Sequence, residues 1–202
     1  MKTLFEEVEE KLKFQPGESG FFYRRALRNV AIKYASDPER LILDEQKDSA
    51  DKDHQDKNVI RTIPKPGHLL FFEYEPKKKY AKFVDNFPVA YVLGLETDYF
   101  IAANLHLIEP NKRKIILEKL QKNKMMLPNA CIGRYSIKQV RGLYLDVAKD
   151  EWTTAAFLPI ENFVKIQKGK ETPINVAEVW KEVDRSFNNI LGGSSTEKSY
   201  ST

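Results

Sequence analysis

Residues 2–14 place Leu4, Phe5, Val8 and Leu12 at helical spacing, with Glu6, Glu7, Glu9 and Glu10 turned mostly to the other side, which predicts a short amphipathic helix. Gln15-Pro16-Gly17 breaks it. Ser19 then offers a cap for a second helix of about 17 residues with Phe22, Ala26, Val30 and Tyr34 on its apolar face, ended by Asp37-Pro38. From Asp44 to Asn58 the chain holds six acids, three lysines and Ala50 as its one apolar residue. Such a stretch cannot bury enough surface to offset its ordering entropy and predicts a flexible acidic loop.

After Val59 the texture changes to runs of β-branched and aromatic residues separated by short turns: VIRTI, the turn Pro64-Lys65-Pro66-Gly67, HLLFFEYEP, FPVAYVLGLE, a turn at Thr97-Asp98, and YFIAANLHLI. These are strand signals. In HLLFFEYEP, Leu70, Phe72 and Tyr74 share one face and Leu69, Phe71 and Glu73 the other; a strand apolar on both faces needs cover on both. Pro110 opens a helix with Ile116, Leu117 and Leu120 at core spacing. Residues 129–142 read as a further short helix, GLYLDV as a strand, KDEWTTA as a turn or short helix, and AFLPIENFVKI as a closing strand interrupted by Pro159. Trp152 and Phe157 are each expected to pack beneath the barrel. Val176, Val179, Trp180, Val183 and Phe187 mark a last amphipathic helix over 173–190, and the polar tail from Gly192 reads as disordered.

The expected fold is α+β: a small SH3-like antiparallel β-barrel core flanked by N- and C-terminal amphipathic helices. The layout is a helical segment 1–43, the acidic loop 44–58, a β-rich core 59–165 with an inserted helix, a C-terminal helix 166–191 and a tail 192–202.

The 202 residues carry 33 Lys and Arg against 29 Asp and Glu, a net charge of +4, too small to indicate nucleic-acid binding alone. One cysteine, Cys131, excludes an intramolecular disulfide, and three histidines without clustered spacing announce no metal or other cofactor. No uncharged stretch approaches the roughly 20 residues of a bilayer crossing. P-loop, GxGxxG, GxSxG and HExxH motifs are absent, and a lone cysteine is more often a small hydrophobe than a nucleophile. His106, between apolar neighbours in NLHLI, suits a structural bond to a backbone carbonyl. Of a metal-free, toxin-type ribonuclease only His68 near Glu73 keeps a trace.

Basic clusters carry more. Arg24 and Arg28 stand one helical turn apart beside Arg25; Lys77, Lys78 and Lys79 precede Tyr80; Lys112, Arg113, Lys114, Lys119, Lys122 and Lys124 oppose only Glu118; and Arg134, Lys138 and Arg141 continue the bias. Long cations at such spacing can engage successive phosphates, although each cluster is also what a solvated face looks like.

The ordered series FFYRRALRNVAIKYA, IPKPGHLLFFEYEPKKK, DNFPVAYVL, NLHLIEPNKRKIILEKL and CIGRYSIKQVRGLYLDVAKDEWTTAAFLPIENF resembles a family of virion proteins of large contractile-tailed bacteriophages, commonly named DNA end-protector proteins. The matching positions are Pro66, Gly67 and His68; Tyr74, Pro76 and Lys77; Asp85, Phe87 and Pro88; Asn104, His106 and Pro110; Val140 and Arg141; Trp152; and Phe157, Leu158 and Pro159. The resemblance covers about residues 21–164. It departs at Ala102-Ala103, where the family tends to Gly-Leu, at Leu107, where it tends to Tyr, and in the acidic insertion. It implies a non-enzymatic virion or virion-assembly protein, located in the virion and, during assembly, in the host cytoplasm, with other virion proteins as partners. Two readings follow. In one, Arg24, Arg25, Arg28, Lys77, Lys78, Lys112, Arg113, Lys114, Arg134 and Arg141 grip the end of packaged double-stranded DNA through phosphates. In the other, the chain is a neck, tail or baseplate component that acts through protein contacts alone, its terminal helices docking neighbours.

Overall fold

A computed structural model describes residues 3–12, 20–43, 57–76, 83–122, 127, 129–167 and 170–192. The acidic stretch 44–56, Lys77 and Lys78, the Ser19 cap and the tail after Gly192 lie outside the described residues. Helix α1 (Leu4–Leu12) lies on α2 (Gly20–Ala35), and a short strand β1 (Leu41–Ile42) follows. Then come β2 (Val59–Arg61), β3 (Leu69–Tyr74), β4 (Val84–Asp85), β5 (Val89–Leu95), β6 (Tyr99–Asn104), α3 (Pro110–Gln121), β7 (Ile132–Ser136), β8 (Val140–Asp146), α4 (Trp152–Ala156), β9 (Phe163–Gln167), β10 (Lys170–Pro173) and α5 (Val176–Gly192).

The chain is α+β, but the expected SH3-like barrel with flanking helices does not form. Seven strands make one mixed sheet in the order β1-β2-β8-β3-β5-β6-β7, with β1 parallel to β2, and three make a second sheet, β10-β9-β4. A barrel closes only when its first and last strands pair. Among the described residues they do not: β7 ends the sheet, and the Ser136 N–H donates to the Tyr74 side-chain hydroxyl at 3.3 Å rather than to the backbone of another strand. Two other expectations change. Residues 132–136, read as helix, form β7 against β6, and residues 166–167 and 170–173, assigned to the C-terminal helix, lie in the antiparallel pair β9 and β10. AFLPIENFVKI was read as a strand and β9 overlaps its end, but KETP of β10 has no apolar alternation, so neither periodicity marked it.

The sheet separates two cores, as the two-sided apolar character of β3 requires. Leu69 and Phe71 face a core shared with α1, α2, α4 and α5, where Leu4, Leu27, Val30, Trp152 and Val183 are buried. Leu70, Phe72 and Tyr74 face an aromatic core with Phe100, Tyr135 and Tyr144. Phe72 meets the rings of Phe100 and Tyr135 edge-on at 5.4 and 5.3 Å, while Phe100 stacks on Tyr135 at 5.3 Å, the offsets that the aromatic quadrupole favours. Trp152 is buried, donates from Nε1 to Val147 O at 2.8 Å and packs edge-on to Tyr91. Phe157 is instead 44% exposed: it follows the last turn of α4 and points outward. The Pro66-Gly67 turn forms as expected, with Gly67 at φ +85°, the position that admits glycine most readily.

Candidate functional site

Among the described residues, most of the proposed phosphate-binding side chains are engaged by groups of the same chain. Arg24 is half-buried and donates from Nη1 to the carbonyls of Ile160 and Glu161 at 3.2 and 3.1 Å; burial, then Arg28, lowers its pKa. Arg28 pairs with Glu73 and lies 5.7 Å from the centre of the Phe87 ring. Lys112 bonds Asp184 at 2.9 Å and Glu109 at 3.1 Å, which raises its pKa. Arg113 is fully buried and satisfied on all sides: Nε donates to Ile108 O, Nη1 to Ala156 O and Nη2 to Glu161, at 2.7, 2.8 and 2.5 Å. Arg134 lies over the Tyr99 ring at 3.4 Å, and Arg141 pairs with Glu75 at 2.6 Å. Arg25 and Lys114 are exposed without an ion pair among the described residues. The signal for Arg113 was present in the chain: Arg113, Ile116, Leu117 and Leu120 fall on one helical face.

Both described histidines are bonded to a carboxylate through Nδ1. Asp85 accepts from Phe87 N at 3.0 Å, Asn104 Nδ2 at 3.1 Å and His106 Nδ1 at 2.7 Å. Burial pushes the Asp85 carboxyl up, but the His106 charge and these hydrogen bonds outweigh it and hold the group below the usual carboxylate range. An ionised carboxylate only accepts, so Nδ1 carries the proton. Here the two short motifs around Asp85-Asn86-Phe87-Pro88 and Asn104-Leu105-His106 meet, 19 and 21 positions apart, in a buried structural knot. The expected carbonyl partner of His106 is thus a carboxylate. His68 is buried and bonds Asp146 at 2.9 Å, which also pairs with Arg61, while Glu73 is held by Arg28; the His68 and Glu73 pairing does not form an acid–base site. Cys131 is buried and its thiol is pushed up to about 12, by burial first and then by Asp184, the opposite of an activated nucleophile. Among the described residues no group of three or more metal-ligating side chains assembles, and no helix is long and apolar enough to cross a membrane.

An apolar groove of about 300 Å³ opens to solvent between α2 and the β3–β8 pair. Its floor is Leu27, Phe71 and Leu145, all buried. On the helix wall Ala31 and Ala35 leave room where a larger side chain would fill it, and Ile32 stands 67% exposed on the lip. The opposite wall results from a register break. Phe71 pairs with Leu145 and Glu73 with Arg141, so Gly142, Leu143 and Tyr144 stand opposite Phe72 alone. That bulge bends β8 outward, with Gly142 at φ +82° and Leu143 38% exposed. The Arg28–Glu73 and Arg141–Glu75 ion pairs supply the groove with charge at its rim. Sequence reading missed this site because the bulge follows from strand pairing, although Gly142 inside a strand pattern was the available hint.

Compared with known proteins, the chain matches no family model, no curated protein and no solved structure.

Proposed function

We propose that the chain is a non-enzymatic bacteriophage virion protein that acts through protein–protein contacts, as a component of a neck, tail or baseplate. The ordered motifs from Phe21 to Val164 support the virion setting. The observation that carries the choice of protein contacts is the fate of the charges: Arg24, Arg28, Lys112, Arg113 and Arg141 are engaged by carbonyls and carboxylates of the same chain, while the open concave surface between α2 and β8 is apolar. A phosphate-gripping surface needs cations free to displace counterions. A protein-docking surface needs apolar area with a polar rim.

The test is location in the particle. In a density map of virions of the phage that encodes the chain, it is expected in ordered density of the neck, tail or baseplate with the α2–β8 groove covered by protein. Absence from purified particles would overturn the virion reading, and duplex density against Arg25 and Lys114 would restore the DNA-end reading.

A further inference from the structure

We infer that the outer edge of β7 receives an extended segment of another virion protein, which adds a strand to the large sheet through main-chain hydrogen bonds and turns a lysine side chain into the cleft beside that edge. The inference rests on the reading of the chain as one that acts through protein contacts and names a second surface for it. An open sheet edge is a row of unpaired N–H and C=O groups, and proteins blunt such edges with short strands, lysine or proline. Among the described residues four strands lie at an edge: β1 and β7 of the large sheet, β10 and β4 of the small one. Of these, β1 and β4 are two residues long each, and β10, Lys-Glu-Thr-Pro, carries both a lysine and a proline. The remaining edge, β7, is five residues long and its sequence Ile-Gly-Arg-Tyr-Ser has neither.

The backbone of β7 is set for such pairing. Just past the strand, the Ile137 N–H bonds Asp98 O at 3.0 Å, toward β6, whereas the Ser136 N–H bonds the Tyr74 hydroxyl, away from it. Peptide groups alternate sides along an antiparallel strand. Arg134 and Ile132 therefore point their N–H and C=O outward like Ser136, where no strand pairs with them among the described residues. Beside this edge lies a cleft of about 270 Å³ lined by Ile132, Gly133 and Arg134 together with Tyr74, Val84 and Asp85, well above the roughly 150 Å³ that holds a benzene-sized group. Its chemistry selects the side chain that enters. Asp85 is ionised and accepts three hydrogen bonds of the roughly four that its two oxygens can take. A donor finds an acceptor there, and an acidic side chain finds a like charge. The Tyr74 and Tyr135 rings also line the cleft and suit the stem and head of a lysine.

The test is an NMR titration of the isotope-labelled full chain with a blocked pentapeptide, Thr-Val-Lys-Val-Thr, up to about 10 mM to bracket a millimolar dissociation constant. The peptide is expected to shift the amide signals of β7 and of Asp85 and to slow hydrogen exchange at Ile132 and Arg134 severalfold. The same peptide with glutamate in place of lysine should bind at least tenfold more weakly. Arg134→Pro should abolish binding yet unfold cooperatively, because an outward N–H is no part of the ladder to β6 and edge strands tolerate proline there. Arg134→Ala keeps the N–H and should bind like the parent chain. Should Arg134→Pro fail to fold, the lysine peptide N-methylated throughout takes its place and should not bind. No shift at β7, equal binding of the glutamate peptide, or binding that survives Arg134→Pro or N-methylation overturns the proposal. Each result is independent of whether the chain is found in particles, which decides the wider reading.

Discussion

Arg113 and Asp85 show how much a charged side chain depends on what the fold puts around it. Each is buried with its partners supplied, so removing one partner strands a charge away from water, at a typical cost of about 3–5 kcal/mol. Asp85→Asn is expected to fall in that range in urea unfolding, since an amide cannot accept from His106, Asn104 and Phe87 together. It should also change the pH profile. The Asp85 carboxyl is held below its unfolded value of about 3.9, so its contribution is complete above that pH and is lost as pH falls through the folded-state value. The variant should therefore lose less stability between neutral pH and pH 3 than the parent chain. Glu151 acts in the reverse sense: burial first raises its pKa, against bonds from Asn58 and the Leu4 N–H, so its contribution is full below about 4.3 and is lost as the pH rises through its raised value. A parent chain that is no more acid-sensitive than Asp85→Asn would remove the ionised-carboxylate account.

The two aromatics of one short segment separate at the same scale. Trp152→Ala is expected to cost about 3–5 kcal/mol, because the indole is buried, bonded to Val147 and packed on Tyr91. Phe157→Ala should change stability by less than about 0.5 kcal/mol, being 44% exposed. Thermal melts of the two variants check the contrast, and equal losses would mean that Phe157 is covered in solution.

At the scale of elements, the β3–β8 break is the feature that shapes the surface. Gly142 sits at φ +82° with no atom within 4 Å of where a Cβ would stand, so Gly142→Ala is penalised by backbone conformation alone, about 1–2 kcal/mol. For a chain of this size that is a fall in melting temperature of about 2–8 °C. Gly133 on β7 is the opposite case: a Cβ there would lie 2.6 Å from the Tyr135 ring, so Gly133→Ala must displace part of the aromatic core and should cost more. Near-equal effects would mean that the bulge, and with it the groove wall, is not formed in solution.

At the scale of the whole molecule, the question is whether a net charge of +4 acts as a field or as a set of local pairs. With its arginines largely engaged, the chain is expected to bind linear and closed circular duplex of equal length alike and weakly at moderate salt. Arg25→Glu with Lys114→Glu should then leave any preference between the two forms at zero. An end-specific grip would instead show preference for the linear form, with the slope of log affinity against log salt becoming shallower by about two units in the double variant if both side chains contact phosphate. Arg113→Glu is the wrong probe, because its buried position makes loss of folding the expected outcome.

What the amino-acid order determined by itself is local. The two faces of β3, the Pro66-Gly67 turn, the start of α3 at Pro110 and the amphipathic terminal helices follow from side-chain alternation, fixed proline geometry and helical period, all of which act within a few residues. Tertiary structure alone decided which strands became neighbours, so that β8 lies between β2 and β3, β7 ends a sheet instead of closing a barrel, and the polar strand β10 precedes α5. It also decided the role of each cation, since Arg24 is satisfied by residues 136 and 137 positions away and Arg113 by Glu161, 48 away. Charge is written in the side chain, but whether it meets water, a phosphate or a buried carboxylate depends on desolvation and on partners that only the folded chain brings within hydrogen-bond distance.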